Sequence, residues 1–281
     1  MQFDDTIVKL KQYKEKVDVE LKSGAREFFD LVVGADGLHS QIREQVFGPM
    51  HQFEKKLGLR IAAFEIKGYQ PKDELTAVLH TEPGRQICRI SKRDNKTLFL
   101  LAMRDRLAGS ELPQTELQKK AELMKVFYGM KWEAPKILSA LNSVKHIYYD
   151  SVSQICMNTW CKNRVALIGD AGAAVSLLSG EGSGLGMLEA YVLANEIAKS
   201  SDNLFKSFAR YEKKLVPLIK QKQKAALKAA STFVPNTYLG ILARNIVTRI
   251  LPAEWAARLG LSLKSEAALI AFANEKPFKD I

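Results

Sequence analysis

Apolar residues along this chain follow first an alternating period, then a helical one. Val17, Val19 and Leu21 alternate with charged neighbours, the period of a half-buried strand. Ser23-Gly24 then turns the chain into a second apolar run, residues 28–33, which closes on Gly34-Ala35-Asp36-Gly37. Strand patterns recur at 59–66, 76–80, 86–90 and 97–103, with turns at Glu82-Pro83-Gly84 and Arg93-Asp94-Asn95. Residues 113–141 read helical, with a break expected near Pro135. Val165 to Ile168 is a short run of the kind a buried strand shows, ending at Gly169-Asp170. A small-residue loop follows, with glycines at 180, 182, 184 and 186. A helix then places Leu185, Leu188, Val192, Leu193 and Ile197 on one face. From there the pattern is helical to the end, with breaks expected near Pro217, Pro235 and Pro252.

Strand, acid, glycine loop and helix start together make a layout for holding a polar cofactor. Glycine lets backbone approach a ligand, and a helix N-terminus offers free N–H groups and partial positive charge. The candidate contacts are Gly169, Asp170, Gly180, Gly182, Ser183 and Gly184. Asp170 is suited to accept hydroxyl hydrogen bonds; the plainer alternative is an acid that caps a helix after a strand. Asp36, Gly37 and Arg43 form a second candidate group, with Ser40 between them. Their plainer alternatives are a turn, an ion pair and a helix cap.

The 28–43 and 164–190 segments, in this order, resemble the two later cofactor motifs of the class A flavin-dependent aromatic hydroxylases, the para-hydroxybenzoate hydroxylase-like monooxygenases. A weaker echo is Phe208-Ala-Arg-Tyr211-Glu212 with Pro217. The resemblance implies an α/β fold: a partial Rossmann-like FAD-binding domain, an inserted mainly-β substrate domain and a helical C-terminus. It divides the chain into 1–47 and 156–230 as the FAD-binding domain, 48–155 as the substrate domain and 231–281 as a helical tail. It implies that Asp170 binds the ribityl chain of FAD and that the helix start faces the flavin pyrimidine edge. Asp36, Gly37 and Arg43 would lie near the pyrophosphate. NAD(P)H would reduce the flavin, which then activates O₂ to hydroxylate a small organic substrate, aromatic or polyketide-like. In such an enzyme the protein positions and stabilises while the cofactor does the chemistry, so no side chain is assigned as catalytic.

The departures set a second expectation. No strand–Gly-x-Gly-x-x-Gly–helix unit for the ADP half of FAD occurs in the chain. The chain therefore reads as an N-terminally incomplete member, or as a non-catalytic module that keeps the fold without binding FAD by itself. Ala173, Ser176-Leu177 and Glu181 also differ from residues common in the family.

Composition narrows the partners. With 281 residues and 47% hydrophobic content the chain can bury a sizeable core. No transmembrane-length apolar run or signal-peptide core is present. Cys88, Cys156 and Cys161 form no CxxC pair, which fits reduced thiols and a cytoplasmic setting. The four histidines show no metal-ligand spacing, so no metal is expected. The net charge is +11, and Lys213, Lys220, Lys224 and Lys228 fall near one helix face. That face is either solvated or meets an anionic partner; no aromatic interleaving points to nucleic acid. Leu239, Leu242, Ile246, Ile250 and Leu251 share a face in the tail, which either packs on its own fold or lies on a membrane surface.

Overall fold

The computed structural model describes residues 2–69, 76–200 and 203–250. The elements run β1 (Ile7–Gln12), β2 (Val17–Leu21), β3 (Arg26–Phe29), β4 (Val32–Gly34), α1 (Gln41–Phe47), β5 (Glu54–Lys67), β6 (Ala77–Glu82), β7 (Arg85–Lys92) and β8 (Lys96–Arg104). They continue with α2 (Glu116–Phe127), α3 (Ala134–Ala140), β9 (Tyr148–Ile155), β10 (Cys161–Lys162), β11 (Val165–Leu167), α4 (Asp170–Ala173), α5 (Gly182–Ala198), α6 (Leu204–Phe233) and α7 (Tyr238–Ile250). The architecture is mixed α/β. Two compact units share the chain, one holding residues up to Lys55 and Ser153–Ala226, the other Lys56–Val152 and the segment from Leu227.

The first unit contains two small sheets. β1, β2 and β3 form an antiparallel meander in which Val17 and Val19 are fully buried. β4 pairs in parallel with β11, and β10 flanks β11 antiparallel. The 28–33 run is therefore not one strand. Phe28 and Phe29 are exposed on β3, the chain leaves the ladder at Asp30-Leu31, and Arg164 receives it by donating to the Asp30 carbonyl at 2.9 Å. The core combines Val165, Ala166 and Leu167 of β11 with Leu185, Leu188, Val192 and Leu193 of α5, and with Phe208, Tyr211, Leu215 and Ile219 of α6. That last stripe, at helical spacing, carries α6 straight through Pro217. The expected break does not occur there, because the packing of both flanking turns outweighs one lost backbone hydrogen bond. The break near Pro235 is present, between α6 and α7; Pro252 and the tail beyond residue 250 lie outside the described residues.

The second unit is built on a five-stranded sheet of order β6-β7-β8-β5-β9. The β6–β7, β7–β8 and β8–β5 pairs are antiparallel. Its core joins Ala62, Phe64, Ile87, Phe99, Leu101 and Met103 of the strands to Leu123, Phe127, Ile137 and Leu138 of α2 and α3. α2 opens on a capping box, Thr115 with Gln118. Its helical run ends at Tyr128, ahead of Pro135, and Pro135 instead occupies the first turn of α3. The N–H of a first-turn residue has no acceptor within the helix, so proline is tolerated there, and the break expected near Pro135 is present between α2 and α3. On α7 the expected packing of the apolar face is reversed: Leu239, Leu242 and Ile246 are exposed. Arg244 takes the inward face, donating to Gln86 Oε1 at 2.9 Å, Thr81 Oγ1 at 3.1 Å and the Phe233 carbonyl at 3.2 Å. Among the described residues no helix is long and apolar enough to cross a membrane.

Candidate functional site

The parallel pairing of β4 with β11 puts Leu167 opposite Gly34. Both strands end there, so the Asp36 loop and the Asp170 loop emerge side by side from the same edge. Crevices at the carboxyl ends of parallel strands are where α/β sheets take ligands. Gly34 keeps the crossing close: a Cβ on it would stand 2.7 Å from Leu167 Cδ2 and 3.1 Å from Ile42 Cγ2, so both side chains would have to shift.

Asp36, Ser40 and Arg43 each have partners within the protein. Ser40 donates its hydroxyl to Asp36 Oδ1 at 2.5 Å, and the Ile42 N–H donates to Asp36 Oδ2 at 3.1 Å. Ser40 Oγ in turn accepts the Arg43 N–H at 2.9 Å and caps α1. Arg43 is 1% exposed and ties the two loops together. Its Nη1 donates to the Ala171 carbonyl at 2.8 Å and its Nη2 to the Leu38 carbonyl at 2.7 Å. Burial pulls its guanidinium below the usual value, and Asp36 opposes that shift. Gly37 turns at φ 79°, with open space where a side chain would stand.

The Asp170 group is arranged differently. Gly169 has φ 59°, which lets β11 turn directly into the short helix α4 with Asp170 as its first residue. No protein hydrogen bond to the Asp170 carboxylate is found among the described residues, and partial burial raises its pKa. Asp170 Oδ1 lies 3.8 Å from where a Cβ on Gly182 would stand, so the carboxylate faces the start of α5. That helix begins at Gly182, earlier than its apolar stripe suggests, and Glu181 provides no side-chain cap. The first-turn amides of Gly182, Ser183 and Gly184 thus have no carbonyl within the helix to bond. A side chain at Gly184 would meet nothing within 4 Å, and Ser183 is exposed. Gly180, at φ 65°, supplies the left-handed turn that delivers the chain to this point. A carboxylate acceptor beside three free donors in open space fits the hydroxyl-rich chain and the polar ring edge of a flavin. We find the residues present compatible with that group.

Several contributors carried no motif signal. Gln154 is fully buried and donates to the carbonyls of Val175 and Gln223, each at 2.8 Å. Gln223 donates to those of Ile155 at 2.8 Å and Ala174 at 3.1 Å. This amide pair braces the loop before Ser176, whose φ of 129° is a strained conformation for a residue with a side chain. Lys222, 4% exposed, reaches Glu181 Oε1 at 2.5 Å and pins the residue preceding α5. Glu189, buried on α5, accepts the Gly169 N–H. The one available signal was an acid at 189 and another at 196 on the apolar stripe of α5. Among the described residues no His, Cys, Asp or Glu cluster suits a metal ion.

Comparison with known proteins adds the family. Residues 2–204 match the FAD binding domain family. A protein called flavin-dependent monooxygenase, from an unknown prokaryotic organism, is 33% identical over 83% of this chain and 60% of its own length. Another of that name, from Legionella longbeachae, is 30% identical over 83% of this chain and 59% of its own. The crystal structure of tetracycline destructase Tet(55) superposes with a TM-score of 0.76 at 31% identity, covering 87% of this chain and 65% of that one. The chain thus spans about 60% of the length of these curated relatives. None of these names lends support to a non-catalytic module. With the match covering most of the chain, this protein belongs to the FAD binding domain family.

Proposed function

We propose that this chain supplies the flavin-facing and substrate-facing parts of an FAD-dependent monooxygenase that uses NAD(P)H as reductant. The observation that carries the reading is the Asp170 carboxylate, without a hydrogen-bond partner among the described residues and facing the uncapped start of α5. When bound, FAD supplies the redox chemistry that passes electrons from the nicotinamide to O₂. The chain's own residues then do three things. Asp170 accepts ribityl hydroxyls and orients the cofactor. The amides of Gly182, Ser183 and Gly184, at the positive end of a 17-residue helix, stabilise negative charge on the pyrimidine edge as preorganised donors. Arg43 locks the Asp36 loop against the Asp170 loop, so that Asp36 and Gly37 present their turn to the pyrophosphate side.

The β-rich unit 56–152 is the substrate-binding part in this reading. The substrate class is a small aromatic or polyketide-like organic compound, supported by the 31% identity to Tet(55). Tetracycline is the first compound to test. The protein should bind FAD with quenching of flavin fluorescence, and NAD(P)H oxidation should accelerate on adding an accepted substrate. Absence of flavin binding would overturn the reading.

A further inference from the structure

α5 buries two acids on its apolar face and treats them differently. Glu196, 2% exposed, is met by Arg210 Nε at 2.5 Å and Lys214 Nζ at 3.2 Å. Glu189, seven residues earlier and 1% exposed, has no such cation among the described residues. Its Oε2 accepts the Gly169 N–H, and its Oε1 is buried with no hydrogen-bond partner among the described residues. The titratable groups acting on it from neighbouring elements are Asp170 of α4 and Tyr211 of α6, both acids. Tyr211 already spends its hydroxyl on the Leu167 carbonyl at 3.1 Å. A buried carboxyl with one amide donor and a second acid beside it is disfavoured as an anion.

The amide it holds is that of the residue on which the site turns. Gly169 packs against α5 closely enough that a Cβ on it would lie 3.8 Å from the Gly186 Cα. Glu189 fastens this crossing from below, one residue before Asp170. We propose that Glu189 is a positioning residue of the cofactor site, a neutral carboxylic acid that fixes the Gly169 amide and leaves Asp170 as the single anion at the end of β11. The proposal deepens the FAD reading and rests on it. Burial pushes the Glu189 carboxyl up to about 8, with Asp170 adding to the rise and the Gly169 hydrogen bond opposing it.

The sign of the pH effect follows. The folded protein holds the Glu189 proton above the pH at which the unfolded chain releases it. Wild-type stability, measured against a Glu189→Gln variant, therefore declines from the ordinary glutamate value of 4.5 up to about 8, and no further. Cofactor affinity holds below about pH 8 and falls above it, by about tenfold at pH 9.

The test compares wild type, Glu189→Gln and Glu189→Leu in two assays. FAD affinity is read by fluorescence quenching between about pH 6 and 9, and melting of the cofactor-free protein is read over about pH 4.5 to 9. Glu189→Gln keeps the shape and the neutrality. It should bind FAD within about twofold of wild type at pH 6 and stay level to pH 9, while wild type weakens. Its melting temperature should gain on wild type between pH 5 and 8. Glu189→Leu, which cannot hold the amide, should bind weakly throughout. Identical pH profiles for wild type and Glu189→Gln would overturn the proposal, as would a Gln variant as weak as Leu at pH 6. If no variant binds FAD, the FAD reading fails; the cofactor-free melting curves still decide Glu189, a Gln-specific gain supporting the neutral acid and parallel curves refuting it.

Discussion

Asp170 is a partly buried carboxylate with a raised pKa and no donor among the described residues, and a protein retains such a group at a cost. Its replacement separates cofactor binding from folding. Asp170→Ala should remove a charged hydrogen bond of about 1.5–3 kcal/mol and weaken FAD by one to two decades, with an unchanged circular dichroism spectrum. A dissociation constant equal to wild type would remove Asp170 from the site. Arg43 should behave in the opposite way. Its guanidinium is buried and bonded to two carbonyls from different loops. Arg43→Met should cost about 3 kcal/mol of folding stability, read as a lower urea midpoint, before any cofactor is added. The Asp36–Ser40–Arg43 chemistry was visible as residue types at a spacing. That it would face inward was not, because the Ala171 carbonyl it serves lies 128 residues away in sequence.

Among the elements, those with a clean period were legible. β2, β5, β6, β7 and β8 lie where alternation and turn residues place them, and Asp94 and Asn95 adopt the positive φ expected of a hairpin tip. Proline misled only at position 217, because its effect depends on position and packing. Pro135 begins a helix and Pro217 is carried by the Phe208–Tyr211–Leu215–Ile219 stripe. β1, with its lysines and mixed burial, gave too weak an alternation to be read. The buried acids of α5 were hidden inside an apolar stripe, since a sequence shows where a side chain points but not what awaits it. At the start of that helix, Gly184→Ala and Gly184→Val should both fold, because nothing within 4 Å opposes a Cβ there. The Val variant should bind FAD more weakly than the Ala variant, since its branched side chain fills the space beside the free amides. Equal affinities would mean that the cofactor does not approach this turn. In α2, Thr115→Ala removes one half of the capping box and should cost about 1 kcal/mol by chemical denaturation.

For the whole molecule, the +11 charge is a surface property. Lys213, Lys220, Lys224 and Lys228 are exposed on α6, whereas Lys222 between them is buried against Glu181. Replacing Lys213, Lys220 and Lys224 with Gln should lower the charge to +8 and change stability by no more than about 0.5 kcal/mol per site. Thermal unfolding and FAD titration check this; a large loss in either would show that the face has a partner. Lys222→Met, on the same helix, should be the costly substitution, because it removes the buried ammonium that reaches Glu181 at the entrance to α5.

The parallel pairing of β4 with β11 also constrains how the chain reaches its native state. The two strands can meet only after the intervening segment, more than a hundred residues long, has been gathered into a loop with closed ends. Closing so long a loop carries an entropic cost that grows with the logarithm of its length. Most of that segment is the antiparallel unit 56–152, whose hairpins are local in sequence and therefore quick to form. Once collapsed, it shortens the effective tether between β4 and β11. The order expected from topology has the insertion assemble first, as an internal spacer, and the β4–β11 edge close last. A cavity mutation in its core, such as Phe127→Ala, should then slow the refolding of the Asp170 region as followed by the recovery of flavin quenching, although Phe127 belongs to a different unit.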